Sequence, residues 1–235
     1  MLTLDCGNTR LKWGVFEGGR LVESGALGLV ELGSLAQRLP RPLPHRVVVS
    51  NVAGARAAVE IRAAVEGQGR LVQWVKSQRM QCGVTSLYAD GQLGADRWAA
   101  LIGARHLQAG PCLVVMAGTA TTVDVLDGDG IFQGGLILPG LQLMRDSLTR
   151  NTAQLREIEG TFAPLPRSTA DAIASGCISA QLGAIERMHR LLGVAEAPCL
   201  LSGGAAPSLA EHLRLPTRLE PHLVLHGLAR IGYDS

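Results

Sequence analysis

The sequence predicts an α/β protein made of two half-domains of one design, with an anion-binding cleft between them. Two observations carry this. The chain opens on a strand–turn–strand unit: Leu2-Thr3-Leu4-Asp5, then Cys6-Gly7-Asn8-Thr9, then Leu11-Lys12-Trp13-Gly14-Val15. A second such unit begins at Cys112-Leu-Val-Val-Met116, turns at Ala117-Gly118-Thr119 and resumes through Thr121, Val123 and Val125. Small residues in both turns let backbone N–H groups approach an anion closely, because no Cβ intervenes at a glycine. The boundaries expected are 1–108 for the first half-domain, substrate loop included, and 109–235 for the second.

The elements of the first half follow in order. Residues 2–6 read as a buried strand and 10–16 as its partner. Glu17-Gly18-Gly19-Arg20 is a hairpin turn by its two glycines, and 21–27 a third strand. Residues 32–39 form a short helix stopped by Pro40. The β-branched run 46–52 is a central strand. Residues 55–66 are alanine-rich, with Val59, Ile61, Ala64 and Val65 near helical spacing. Residues 71–75 are another strand. The order βββαβαβ marks an α/β half-domain. Residues 78–94 are polar and glycine-bearing, hence a binding loop, and 96–107 a helix.

The second half repeats the plan. Strands fall at 112–116, 120–126 and 131–138, with Gly128-Asp129-Gly130 as the hairpin turn and Pro139-Gly140 as the stop. Helices follow at about 141–150 and 169–192. A strand at 197–202 runs into Gly203-Gly204, Pro207 opens the next helix at its first position, and 222–231 is a closing helix.

Composition limits the function classes. At 235 residues, 47% apolar and 18% charged, the chain folds around a sizeable core. Aromatics at 3% argue against stacking platforms for single-stranded nucleic acid. A net charge of +2, from 22 basic and 20 acidic residues, is too balanced for a polyanion partner. The five cysteines show no paired spacing, so no zinc site or disulfide framework is expected. No signal-peptide pattern and no membrane-length apolar run occur, and a reducing cytoplasm is the expected location. Lys12 and Lys76 are the only lysines, which draws attention to Lys12 just after the first glycine turn.

The chemistry-bearing residues cluster at these turns. Asp5 ends the first strand, where a carboxylate either caps the hairpin or holds magnesium through water while backbone amides take phosphate oxygens. Lys12 can reach the same phosphates as a point charge. The Thr119 hydroxyl and its neighbouring amides suit a terminal phosphate. Asp96, in Gly94-Ala95-Asp96-Arg97, is either a helix N-cap or a general base for phosphoryl transfer. Arg97 beside it can grip a substrate carboxylate in bidentate fashion. Asp124 is expected to be solvated, with an ion ligand as the other reading. Gly203-Gly204 is either a seat for a nucleotide ring or a plain strand–helix turn. The histidines show no convincing metal site. Neither a G-x-x-x-x-G-K-[ST] loop nor a G-x-G-x-x-G loop is present, so any ATP would be held by the paired hairpin turns.

The chain resembles the type III pantothenate kinases, of the superfamily that joins acetate and sugar kinases with actin. The resemblance rests on residues 5–12, on Gly94-Ala95-Asp96-Arg97, on Gly118-Thr119-Ala120-Thr121-Thr122, on Gly134-Gly135-Leu136-Ile137-Leu138-Pro139-Gly140, and on Thr169-Ala170-Asp171-Ala172-Ile173 before Ser175-Gly176. It implies duplicated ribonuclease H-like (actin-like ATPase) half-domains around a nucleotide cleft. It also implies ATP-dependent phosphorylation of pantothenate, the first step to coenzyme A. By motif, Asp5, Cys6, Gly7, Asn8, Thr9, Arg10, Leu11 and Lys12 look like the ATP phosphate loop, Thr119 like a further ATP contact and Asp96 like the proton acceptor. Gly94, Ala95, Asp96 and Arg97, with Tyr88 beside them, resemble the pantothenate segment. Thr169 looks like the threonine that reaches pantothenate across a dimer interface. The resemblance further implies a homodimer, magnesium, and a monovalent cation, potassium or ammonium.

One departure stands out. Many members carry aspartate two residues before the Gly-Thr pair, where it binds the monovalent cation; here that place is Met116, a poor ligand for a hard cation. Two other readings follow: a non-catalytic nucleotide-binding regulator acting as a transcription accessory factor, and a kinase for another small hydroxylated acid.

Overall fold

The computed structural model describes residues 1–67, 69–151 and 160–234. The chain folds into two compact units. The first takes Met1–Ala109, Asp129–Phe132 and His222–Ser235; the second takes Gly110–Gly128 and Gln133–Pro221. The division differs from the expected 1–108 and 109–235 in its last segment, because the carboxyl-terminal helix returns to the first unit.

In the first unit, β1 (Leu2–Cys6), β2 (Arg10–Glu17) and β3 (Arg20–Gly28) form an antiparallel meander, and β4 (Arg46–Asn51) and β5 (Leu71–Trp74) add in parallel on the β1 side. The sheet order is β3-β2-β1-β4-β5. Side chains alternate across a strand, and this sorts the residues of β1, β2 and β4. Leu2, Leu4, Cys6, Leu11, Trp13, Val15, Val47 and Val49 enter one core. Helices α1 (Leu35–Arg38), preceded by a 3-10 turn over Leu29–Ser34, and α2 (Ala55–Val65) close that face. On α2 the buried residues are Ala57, Ile61 and Val65, a four-residue spacing, each large one worth roughly 1.5–3 kcal/mol on burial. Val59, expected on the apolar stripe, is exposed.

The other face of the same sheet carries α3 (Ala95–Leu107) and α7 (Leu223–Tyr233). Their backbones nearly touch. A Cβ on Gly103 would meet the Leu223 carbonyl oxygen at 2.3 Å, and one on Gly227 would meet that of Ala99 at 1.7 Å. All residues from Arg97 to Ala104 are buried, so α3 has no solvent face over that stretch. The loop expected over 78–94 contains two short strands, β6 (Met80–Gln81) and β7 (Val84–Ser86); β7 pairs with Ile131 and Phe132. Trp98 Nε1 donates to Gln81 Oε1 at 3.0 Å, tying α3 to β6.

In the second unit, β8 (Cys112–Ala117) pairs antiparallel with β9 (Ala120–Leu126), and β11 (Cys199–Ser202) and β12 (Thr217–Leu219) join in parallel on the β8 side. With β10 (Ile131–Pro139) beyond β9, the order is β12-β11-β8-β9-β10, which in chain order repeats the 3-2-1-4-5 plan of the first unit. Leu113, Val115, Ala117, Val123 and Val125 share a core with Cys177, Ile178 and Ile185 of the long α5 (Thr169–Leu192). The ends of α5 are set by sequence: the Ser168 hydroxyl accepts from Asp171 N, and Gly193 closes the helix in the left-handed region. Helices α4 (Leu141–Asn151) and α6 (Ala206–Ala210) complete the unit.

Candidate active site

The first turn is held by Gly7 N donating to Arg10 O at 3.1 Å and by Leu29 N donating to Thr9 O at 3.0 Å. Asn8, Thr9 and Arg10 are exposed and Gly7 half-buried. Cys6 and Leu11, in the same stretch, are core residues, so only their backbones face outward. Burial, then the Asp5 charge, pushes the Cys6 thiol up to about 11, which leaves it unreactive. Gly7 is not in the left-handed region, and a Cβ there would come no nearer than 3.6 Å to Arg10 O. Nothing inside the protein demands a glycine at this position; what its bareness keeps open is the outer side of the turn.

Strand register assembles the polar group beneath that turn. Asp5 stands opposite Lys12 on β2 and Ser50 on β4, and alternation puts all three on the face that α3 and α7 cover. Oδ1 of Asp5 and Oγ of Ser50 are buried without a hydrogen-bond partner. Burial first, and then the charge of Asp96, raises Asp5 to about 7; Lys12 and the nearby Ser50 hydroxyl pull the other way. A carboxylate that ionises near neutrality, with an orphaned oxygen, has capacity left for a cation or a donor.

Asp96 lies in the first turn of α3, and the N-cap is Gly94, with no side-chain cap. The N-cap reading of Asp96 is therefore replaced: its Oδ1 accepts from Arg97 N at 2.8 Å. Gly94 makes room for this, since a Cβ there would stand 2.6 Å from Asp96 Oδ1. Arg97 is buried, its guanidinium 5.8 Å from the Tyr88 ring centre and 5.7 Å from that of Phe132. The two rings pack at 5.0 Å. Tyr88 is anchored through its N–H, which donates to Ser86 Oγ at 3.1 Å.

In the second unit, the 118–119 turn is exposed, and Gly118 N donates to Ala120 O at 3.1 Å. Thr119 O accepts from Gly140 N at 2.9 Å, and Ala117 O accepts from Ala205 N at 3.1 Å. Gly140 and Gly203 brace the turn at close quarters: Cβ atoms there would stand 2.1 Å from Gly118 O and 2.3 Å from Ala117 O. Gly203, at φ +104, is thus required by internal packing, while Gly204 faces open space. Met116 is opposite Thr122 and Ser202, whose hydroxyls are buried and unpartnered. Asp124 is fully buried inside β9, which corrects the expectation that it is solvated. Thr169, the first residue of α5, is exposed.

The donor sets fit one implied metal and not the other. Magnesium takes one or two carboxylates and keeps water and phosphate for the rest, which suits Asp5 with its orphaned oxygen. The Met116 thioether flanked by two hydroxyls does not fit a hard monovalent cation. Among the described residues no cluster of three or more His, Cys, Asp or Glu side chains forms a metal cage. A cavity of about 290 Å³ between Phe16, His106, His226, Arg230 and Tyr233 lies at the opposite end of the first sheet from Asp5.

A family model described as type III pantothenate kinase matches residues 1–191. The type III pantothenate kinase of Aromatoleum aromaticum is 53% identical, over 100% of this chain and 98% of its own. That of an Azoarcus species is 52% identical, over 99% and 90%. The chain belongs to the type III pantothenate kinase family. Solved structures agree on the fold. A Campylobacter jejuni protein described as a Baf family transcriptional activator has a TM-score of 0.65 at 19% identity, over 98% of this chain and 96% of its own. A Sinorhizobium meliloti protein described as a 2-dehydro-3-deoxygalactonokinase has 0.59 at 16%, over 97% and 94%. The resemblance drawn from five short motifs thus extends over the whole chain, and the actin-like, sugar-kinase-like fold is the one observed. Ser50, beside Asp5, and Phe132, beside Arg97, are residues that motif reading passed over. Ser50 had a visible signal, a hydroxyl interrupting the apolar run Val47-Val48-Val49.

Proposed function

We propose that this protein transfers the terminal phosphate of ATP to the primary hydroxyl of pantothenate, giving 4'-phosphopantothenate for coenzyme A synthesis. The observation that carries the reading is end-to-end identity of 53% with a type III pantothenate kinase, and the geometry of the first unit suits the chemistry. The hydroxyl oxygen forms the new bond to phosphorus, the bond to the ADP oxygen breaks, and the hydroxyl proton passes to Asp96. Arg97, stacked beside Tyr88 and Phe132, holds the pantothenate carboxylate, with Gly94 and Ala95 as the adjoining wall. Backbone amides over 7–10 and Lys12 take phosphate oxygens, and Thr119 is the further ATP contact that the motif resemblance implies. Asp5 holds magnesium, which when bound neutralises phosphate charge. Positioning and electrostatics dominate such a transfer.

Finer features belong to the same reading. The protein acts as a homodimer in which Thr169 of one copy serves the other's pantothenate, and it works in the cytoplasm without nucleic acid or membrane partners. Among the described residues no helix is long and apolar enough to cross a membrane. The reading as a transcription accessory factor gains only the fold from the Campylobacter jejuni protein, a likeness at 19% identity.

The deciding experiment is ATP consumption with pantothenate in potassium, ammonium or sodium. Turnover with pantothenate is expected, and turnover in every salt fits Met116. No turnover in any salt overturns the kinase. Asp96→Asn should abolish transfer while ATP still binds; retained turnover defeats the role of Asp96.

A further inference from the structure

The residue that motif reading left idle is His222, which precedes α7. Helix α7 has a fixed direction on the first sheet. Leu225 Cδ1 lies 3.2 Å from where a Cβ on Gly14 would stand, and at the far end Gly232 abuts Met1 and Val48. Arg46, which opens β4, donates to Gly232 O, and Gly19 N, beyond the end of β2, donates to the Tyr233 hydroxyl, so the helix ends at the Met1 end of the sheet and starts toward the Asp5–Lys12 end, on the side of His222. His222 Nδ1 is buried and has no hydrogen-bond partner. The side chain does not cap α7. Burial, and next the Lys12 charge, lowers the imidazole's pKa, which favours the neutral ring. A neutral imidazole has one acceptor nitrogen, and an ammonium has three donors and no acceptor.

We propose that His222 is a positioning residue for Lys12: its Nδ1 accepts one ammonium hydrogen, leaving the other two directed at the phosphates of the nucleotide. The proposal rests on the reading of the first turn and Lys12 as a phosphate site. It supplies what a lysine on a flexible stem lacks, a fixed direction. Such a bond would satisfy the orphaned nitrogen, and an unmet buried acceptor is costly.

The test is calorimetric binding of magnesium-ATP, with steady-state kinetics, for His222→Leu, His222→Asn, Lys12→Met and the double variant Lys12→Met/His222→Leu. Asparagine places an acceptor where Nδ1 sits, so it should bind ATP within about threefold of the wild type, whereas leucine should weaken binding about tenfold. In kinetics, leucine should raise KM for ATP and change kcat less than about twofold, a split that general loosening of the fold does not produce. In the Lys12→Met background the leucine change should add nothing. Wild-type affinity in His222→Leu, or additive losses in the double variant, overturns the proposal. Binding without turnover of pantothenate would defeat the kinase reading and leave His222 standing on the calorimetry. No ATP binding by the wild type would defeat both.

Discussion

A Cβ at Gly94 would stand 2.6 Å from Oδ1 of Asp96, closer than a real Cβ comes to a carboxylate oxygen. The bare N-cap is thus what lets the carboxylate fold back onto Arg97 N. Gly94→Ala should move that carboxylate and lower kcat at least about tenfold. Its backbone angles suit alanine, so stability should fall by only about 1 kcal/mol, the usual loss for alanine at an N-cap. Kinetics and thermal denaturation of one preparation separate the two effects.

Asp5 gives a pH signature. Its carboxyl is raised from 3.8 to about 7 by burial and by Asp96. Between those values the folded protein keeps a proton that the unfolded chain has released. Stability therefore falls as pH rises through that window and is flat above it. Asp5→Asn removes the penalty. Near pH 8 it should be more stable than the wild type by on the order of 4 kcal/mol, near pH 4 about equal, and inactive throughout. Denaturant midpoints at the two pH values check the sign.

The turn glycines divide into two kinds. Gly7 and Gly118 have room for a Cβ, at 3.6 and 3.5 Å from the nearest atoms. Alanine at either should leave the melting temperature within about two degrees and weaken ATP binding about tenfold, since its methyl stands where phosphate approaches. Alanine at Gly203, 2.3 Å from Ala117 O and at positive φ, should destabilise the fold instead. Differential scanning calorimetry beside nucleotide titration distinguishes the classes.

Gly227 should be the least replaceable of the helix glycines. A methyl there would stand 1.7 Å from the Ala99 carbonyl oxygen, with backbone on both sides. Gly227→Ala should destabilise by about 3 kcal/mol or more, measurable by chemical denaturation.

Much of this was legible in the sequence. The hairpins announced themselves by β-branched runs broken at Gly7, Gly18-Gly19 and Gly118, and α5 by Ser168 at one end and Gly193 at the other. What escaped was tertiary. The strands over 80–86 are too short for a periodicity to register; β7 pairs with Ile131 and Phe132, and β6 with β7. The place of α7 on the first unit follows from glycine contacts with α3, which no local pattern encodes. Asp124 read as a strand-end residue because spacing cannot distinguish a covered face from an open one. Arg97 was found through its motif, whereas Phe132, which completes its aromatic setting, lies outside every motif.

The shared strand order lets one half be laid over the other, residue on residue. Met116 then falls on Asp5, Thr122 on Lys12 and Ser202 on Ser50. One copy carries an acid, a base and a hydroxyl at these places; its twin carries a thioether and two hydroxyls. The duplicated architecture is therefore symmetric in its wiring and lopsided in its charge at these three places.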